Sequence, residues 1–213
     1  LSKSLFTRFS DDVQKPNFLN FDSPWADSLI DRMSLEEKIG QLLIINANSY
    51  TGDKNYLDKV DSIITNFGVG GLIYFKSNPS KIIKLTNRFQ RITKIPLINS
   101  IDAEWGLAMR IDSILDLPWN LTLGAIKNDS LIYEMGSLIA NFMKKLGFHL
   151  NFAPVTDVNS NPENPIISAR SFGENPKNVF EKSLAYYKAM DDNNILSCAK
   201  HFPGHGDTYL DSH

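Results

Sequence analysis

The chain has 213 residues, of which 42% are hydrophobic and 22% are charged, and its formal net charge is −2. This composition is typical of a globular domain that can bury a core. The small net charge gives no basic footprint for nucleic acid or an anionic membrane, and no apolar run is long enough to span a bilayer. The single cysteine, Cys198, excludes an internal disulfide, and its place in an apolar run predicts a buried, inert thiol.

Helical and strand patterns alternate along most of the chain. Residues 1–24 lack strong periodicity and predict an extended lead-in. Ser34 with Glu37 three residues later forms a capping box, which predicts a helix start. Short apolar runs then alternate with amphipathic stretches. The predicted strands are 42–45, 70–75, 95–101, 149–153 and 195–199, and the predicted helices are 55–66, 80–92, 129–146 and 176–192.

This alternation predicts a parallel sheet with right-handed crossovers, either open and doubly wound or closed into a barrel. A polar residue follows each predicted strand, and spreading such groups over several strands favours the (β/α)8 TIM barrel. These residues are Asn46, Lys76, Asp102, Asp157 and Lys200. Because a complete barrel needs about 250 residues, we expect only about the first five strands here, with the chain stopping inside the domain.

The last stretch, residues 200–213, concentrates titratable side chains on a loop bent by glycine and proline. Three of the four histidines lie in it, which favours an active site over a polar surface loop. A metal site is the other possibility, but the spacing matches no standard metal motif, so we predict no metal and no cofactor. We expect His205 and Asp207 to pin the loop internally. The five candidate ligands are His201, His205, Asp207, Asp211 and His213.

The same stretch, K-H-F-P-G-H-G-D-T-x-x-D-S-H, resembles the signature of glycoside hydrolase family 3 in its β-N-acetylglucosaminidase branch. Residues 101–110 resemble the family element D-x-E-G-G-x-V-x-R, with Trp105 in place of the first glycine and so an added apolar wall. Residues 151–158 and 170–173 resemble N-x-A-P-V-x-D-V and R-S-F-G. The resemblance covers about 25–213 and implies the N-terminal part of the family's (β/α) barrel.

The resemblance also implies which residues hold the sugar. Asp102 would accept hydrogen bonds from sugar hydroxyls, while Arg170, Lys200 and His201 would bind the sugar, the two cations acting as donors to hydroxyl and carbonyl oxygens. Arg110 belongs to the same candidate site, although a simple ion pair with Asp102 is the alternative. Asp157 is expected to support its own long loop, residues 153–173, rather than to contact substrate.

Asp211 and His213 match the dyad that defines the branch. A histidine titrates near pH 6.5, so it needs little tuning to donate and then remove a proton, and Asp211 would orient it. Because residues two apart do not meet on a helix, the pair requires a loop or bend. The attacking group is implied to be an aspartate downstream of the dyad, and no candidate motif for it occurs in the 213 residues.

Together these features predict a retaining exo-β-N-acetylglucosaminidase acting on carbohydrate, with peptidoglycan (muropeptide) fragments as the substrates the branch implies. Two alternatives stay open: a phosphorylase on the same fold, because histidine repels phosphate less than a carboxylate does, and a non-catalytic sugar-binding protein. The oligomeric state is open. The compartment is also open, with the periplasm or cytoplasm of a bacterium as the expectation.

Overall fold

The structure is a computed structural model that describes residues 22–47 and 54–210. The chain divides into two units, Leu1–Lys38 and Ile39–His213. Helix α1 (Pro24–Ile30) lies in the first unit, and α2 (Leu35–Gln41) begins there. The capping box is confirmed, because Glu37 N–H donates to Ser34 Oγ at 3.2 Å and Ser34 N–H donates to Glu37 Oε2 at 3.0 Å. Of the predicted lead-in, residues 1–21 lie outside the described ranges.

The second unit contains a parallel sheet of five strands in the order β1-β2-β3-β4-β5. Each strand pairs with the next one along the chain, whereas a doubly wound sheet reverses its strand order at a switch point. This order therefore favours the predicted barrel-type fold over the open alternative. The strands are β1 (Ile44–Asn46), β2 (Gly71–Tyr74), β3 (Ile98–Ile101), β4 (Leu150–Asn151) and β5 (Leu196–Ser197).

Four long helices connect these strands and pack the core against the sheet. They are α3 (Lys54–Phe67), α4 (Pro79–Ile92), α6 (Asp129–Leu146) and α7 (Pro176–Asp192). A short helix, α5 (Asn120–Gly124), and two 3-10 turns, Leu107–Met109 and Ser168–Arg170, lie in the loops. No helix in the described ranges is long and apolar enough to cross a bilayer. The largest side chains that are fully buried include Tyr74, Tyr186, Phe89, Phe148 and Phe172.

The thiol of Cys198 is exposed, so its predicted burial is wrong. The apolar run around it suggested a strand covered on both faces. Instead, β5 has two residues and is an edge strand of the described sheet, and Leu196 is 50% exposed. An edge strand has a neighbour on one side alone, so an apolar sequence does not guarantee burial there.

Candidate active site

The loops that follow β3, β4 and β5 bring charged side chains together at the carboxyl ends of the strands. Asp102 and Glu104 follow β3, Arg170 lies in the long loop after β4, and Lys200 and His201 follow β5. Parallel strands end at one edge of a sheet, so residues far apart in sequence become neighbours. Four of the residues predicted to bind sugar are therefore found in one cluster.

Glu104 is the centre of this cluster. Its side chain is 1% exposed, and it receives a two-pronged contact from Arg170, with Nη2 2.8 Å from Oε1 and Nε 2.9 Å from Oε2. The ammonium of Lys200 lies 2.7 Å from Oε1. Burial by itself would raise the pKa of Glu104, but the Arg170 hydrogen bonds and the Lys200 charge outweigh it and hold the pKa below its ordinary value.

Asp102 shares the same lysine but is less enclosed. Its Oδ1 lies 2.8 Å from Lys200 Nζ, and its Oδ2 lies 3.3 Å from Arg110 Nη2. The Arg110 guanidinium in turn sits over the ring of Phe75, 5.3 Å from its centroid. The ion pair considered for Asp102 and Arg110 is thus present, and the same carboxylate also joins the Lys200 cluster. The Asp102 side chain keeps 16% of its surface exposed, which leaves part of the carboxylate open to solvent.

His201 connects the cluster to a buried aspartate. Its Nε2 lies 3.3 Å from Arg170 Nη2, and its Nδ1 lies 2.6 Å from Asp157 Oδ2. Arginine can only donate, so Nε2 accepts this hydrogen bond and the ring proton sits on Nδ1, facing Asp157. With its proton on Nδ1, His201 satisfies both contacts.

Asp157 holds the loop after β5, whereas the supporting role predicted for it concerned its own loop after β4. Its side chain is 1% exposed, and it accepts backbone hydrogen bonds from His201 N at 3.0 Å and His205 N at 2.7 Å. The internal pinning predicted for His205 is confirmed, since this residue is 8% exposed and its Nδ1 lies 2.6 Å from Thr208 Oγ1. Asp207 is exposed and has no hydrogen bond to another described residue, so the structure gives it no pinning contact.

Asparagines in the loop after β4 supply further anchors. Asn164 Nδ2 donates to His205 O at 2.7 Å, and Asn161 Nδ2 donates to Thr208 O at 3.0 Å. Gly206 approaches so closely that a Cβ there would lie 1.7 Å from Val158 O. Within the segment 200–210, these contacts hold His201, His205, Gly206 and Thr208 against the neighbouring loop. The predicted dyad residues, Asp211 and His213, come directly after this segment and lie outside the described residues.

Two features of the site were missed or mistaken in the sequence. Glu104 received no role, although its position two residues after Asp102 in the same motif is a signal for a second carboxylate on the same side of an extended segment. Trp105 is 8% exposed and stacks on Trp119, with centroids 4.6 Å apart, so it is largely covered and does not form an open wall. Among the described residues, no three His, Cys, Asp or Glu side chains are grouped as a metal ion would require.

Residues 34–213 match the family model described as the N-terminal domain of glycosyl hydrolase family 3. The chain belongs to this family. It is 34% identical over 206 residues to β-hexosaminidase A of Pseudoalteromonas piscicida, covering 85% of this chain and 34% of that protein. It is 30% identical over 185 residues to β-hexosaminidase LpqI of Mycobacterium tuberculosis, covering 85% of this chain and 46% of that protein. The chain thus spans less than half the length of these curated relatives.

Solved structures of glycosyl hydrolase family 3 agree with this assignment. A β-N-acetylglucosaminidase from Paenibacillus shares 34% identity and a TM-score of 0.76, over 84% of this chain and 35% of that one. The β-glucoside phosphorylase BglX, at 24% identity and a TM-score of 0.83, shares the fold. The predicted family membership and the barrel-type α/β fold are therefore confirmed, with the match limited to part of each neighbour.

Proposed function

We propose that the protein carrying this chain is a β-N-acetylglucosaminidase that removes terminal β-linked N-acetylglucosamine. The observation that carries this proposal is the single cluster formed by Asp102, Glu104, Arg170, Lys200 and His201. Support comes from the relatives, which include β-hexosaminidases and a β-N-acetylglucosaminidase of the same family.

The cluster offers the hydrogen-bond acceptors and donors that binding of a sugar requires. The partly exposed carboxylate of Asp102 would accept hydrogen bonds from two sugar hydroxyls, exchanging its 3.3 Å contact with Arg110 for one of them. Arg170 and Lys200 would donate to hydroxyl and carbonyl oxygens of the N-acetyl sugar. Because buried Glu104 already holds both cations in place, little reorganisation is needed when the sugar enters.

The proton transfers belong to the dyad in this proposal. His213 would protonate the glycosidic oxygen while a carboxylate attacks the anomeric carbon, and it would then deprotonate the water that releases the sugar with retained configuration. Asp211 would orient the imidazole and stabilise its charged form. The anchors at His205 and Thr208 support this assignment, because they hold the chain shortly before the dyad.

The test is an assay of the purified protein expressed from its complete reading frame. We expect release of 4-nitrophenol from the 4-nitrophenyl β-glycoside of N-acetylglucosamine and far slower release from the β-glucoside. NMR of the first sugar released should show the β-anomer. Binding of N-acetylglucosamine without turnover would instead identify a sugar-binding protein, and an α-anomer would overturn the retaining mechanism.

Two further arms test the finer parts of the proposal. His213→Ala should slow substrates with poor leaving groups 10²–10⁴-fold but activated aryl glycosides much less, since general acid catalysis matters least for a good leaving group. Ser212→Ala is the matched control. Equal loss on both substrates would remove His213 from the proton-donor role. Running the assay in phosphate and measuring N-acetylglucosamine 1-phosphate separates hydrolysis from phosphorolysis, and digestion of muropeptides followed by mass spectrometry tests the natural substrate class.

A further inference from the structure

The residue between the two carboxylates, Ala103, is held by a buried set of hydrogen bonds. Tyr186 Oη donates to Ala103 O at 2.7 Å, and Ala103 N–H donates to Asn151 Oδ1 at 3.0 Å. Asn151 Nδ2 donates to Tyr186 Oη at 2.9 Å and to Ala103 O at 3.3 Å. Gly106 N–H also reaches Ala103 O, at 3.3 Å. Both backbone groups of Ala103 are thus fixed by side chains from other elements.

We propose that Tyr186 and Asn151 are positioning residues that set the location of Asp102 and Glu104. This inference rests on the proposed function, since it assigns these two carboxylates to the sugar site. Neither positioning residue belongs to the charged cluster. Asn151 opens the motif N-x-A-P-V-x-D-V but received no role from it, and Tyr186 lies outside the motifs. Fixing the peptide groups on both sides of Ala103 fixes the backbone from which both carboxylates project.

The chemistry of Tyr186 supports this role over simple packing. The side chain is completely buried on α7, where a phenylalanine would fill nearly the same volume without a polar atom. A buried hydroxyl is retained at little cost only when its hydrogen bonds are made, and here it both donates and accepts. Burial also raises the pKa of Tyr186, so the hydroxyl keeps the proton that it donates to Ala103 O.

Asn151 is suited to its place for a related reason. It lies on β4, is fully buried, and uses its amide oxygen and its amide nitrogen in different directions. An aspartate would offer no donor to Tyr186, and a leucine would offer neither group. The side chains of Tyr186 and Asn151 therefore hold the turn after β3 in a fixed position relative to α7 and β4.

The kinetic test is Tyr186→Phe in the protein with its complete reading frame. We expect kcat/KM for the N-acetylglucosaminide to fall about tenfold and the inhibition constant of N-acetylglucosamine to rise by a similar factor, since small misplacements of binding groups cost this much or more. Tyr187→Phe is the matched control. It also removes a tyrosine hydroxyl from the same helix, but at the next position, which is 46% exposed. Asn151→Leu should act in the same direction as Tyr186→Phe.

A double-mutant cycle separates positioning from general destabilisation. If Tyr186 acts through Asp102, the effect of Tyr186→Phe on kcat/KM should shrink in an Asp102→Asn background. Fully additive losses would overturn the proposal, because they mean that the hydroxyl supports the fold in general. Wild-type kinetics in Tyr186→Phe would overturn it as well.

Amide hydrogen exchange gives a readout that does not depend on turnover. Peptides covering residues 101–106 should exchange faster in Tyr186→Phe than in Tyr187→Phe, because Ala103 loses its shortest anchor. If the wild-type protein has no glycosidase activity, the proposed function fails while this measurement still decides the positioning. Unchanged exchange at 101–106 would rule out the anchoring itself.

Discussion

At the scale of single residues, Glu104 shows how the site tolerates a buried charge. An isolated carboxylate that leaves water loses several kcal/mol even after relaxation of its surroundings. Arg170 and Lys200 supply three contacts of 2.7–2.9 Å to it, and both keep part of their own surface exposed. The anion is therefore neutralised at the cluster while the cations remain available to a ligand.

Replacing the Glu104 carboxylate tests whether its charge stabilises the folded protein. Glu104→Gln keeps the shape but removes the charge that faces two cations, so we expect the free energy of unfolding to fall by about 3 kcal/mol. Glu163→Gln, at an exposed position with no ion pair to another described residue, should change it by less than about 0.5 kcal/mol. Denaturant unfolding of both variants measures the difference. Equal stabilities would contradict a structural role for the Glu104 charge.

His149 provides a second prediction, which concerns the stability of the fold at acidic pH. Its Nδ1 accepts the backbone hydrogen bond of Asn99 N at 3.0 Å, which only the neutral ring can do, and partial burial lowers the pKa of His149. The folded state therefore binds fewer protons at this site than the unfolded state. Its contribution is present above the unfolded pKa, about 6.5, and is lost as the pH falls from there through the lower folded value.

The variant His149→Asn isolates this contribution, because an asparagine oxygen can accept from Asn99 N without titrating. We expect the wild-type denaturation midpoint to drop more between pH 7.5 and pH 5 than the midpoint of His149→Asn. Parallel curves over this range would show that His149 does not carry the effect.

At the scale of elements, the contact between α6 and α7 depends on one small residue. A Cβ at Gly136 on α6 would lie 2.7 Å from the Cβ of Ala189 on α7 and 3.4 Å from Tyr186 O. The first of these distances, between the two Cβ atoms, is shorter than the ordinary contact distance between carbon atoms. The absence of a side chain at Gly136 therefore lets the two helices approach, and α7 carries the tyrosine that reaches Ala103.

Exchanging the methyl group between the two helices tests this fit. Gly136→Ala alone should destabilise the protein by about 1–3 kcal/mol through overpacking, in spite of the better helix propensity of alanine. Adding Ala189→Gly should restore most of that loss, because the combined volume is then unchanged. A thermal-denaturation series of the two single variants and the double variant measures the coupling. Simple additivity of the two single losses would mean that the residues do not compete for one space.

The elements that could be predicted from sequence are those with long periodicity and clear ends. Helices α6 and α7 run over the predicted residues, with Asn128 and Asn175 capping their starts and Gly147 in a left-handed conformation after α6. The strands are shorter than their apolar runs, and β3 starts after Pro96, which has no amide to donate. Helix α5, with five residues, is too short for periodicity to show.

At the scale of the whole molecule, the motifs predicted most of the cluster because they follow the strands whose carboxyl ends meet. Contacts between residues 31 to 98 positions apart in the chain bring together Asp102, Arg170, Lys200 and His201. The role of Glu104 as their centre could not be predicted, since a sequence does not show which of two nearby carboxylates is buried. The same holds for Tyr186, whose partner Ala103 is 83 positions away.

Asp157 connects the loop after β4 to the loop after β5, so replacing it should destabilise the whole segment 200–210. His201 N–H donates to Oδ2 of Asp157 and His205 N–H donates to Oδ1, so in Asp157→Asn the NH2 group that replaces one oxygen cannot accept one of these two hydrogen bonds. We expect limited proteolysis within 200–210 to accelerate at least about tenfold, as a lost charge-assisted hydrogen bond of roughly 1.5–3 kcal/mol implies. Asp207→Asn, in the same loop but exposed, should leave the cleavage rate unchanged. Resistance of Asp157→Asn to cleavage would contradict this anchoring.

The stack of Trp105 on Trp119 gives the molecule an optical label next to its charged cluster. Two indoles at 4.6 Å and 16° from parallel are close enough for their electronic transitions to couple, and this coupling depends on how the two rings are arranged. Trp105 directly follows Glu104 in the chain, so a shift of that turn would change the coupling and could be followed in real time without an added dye. The third tryptophan, Trp25, is 60% exposed and belongs to the other unit, so its spectrum provides an internal reference.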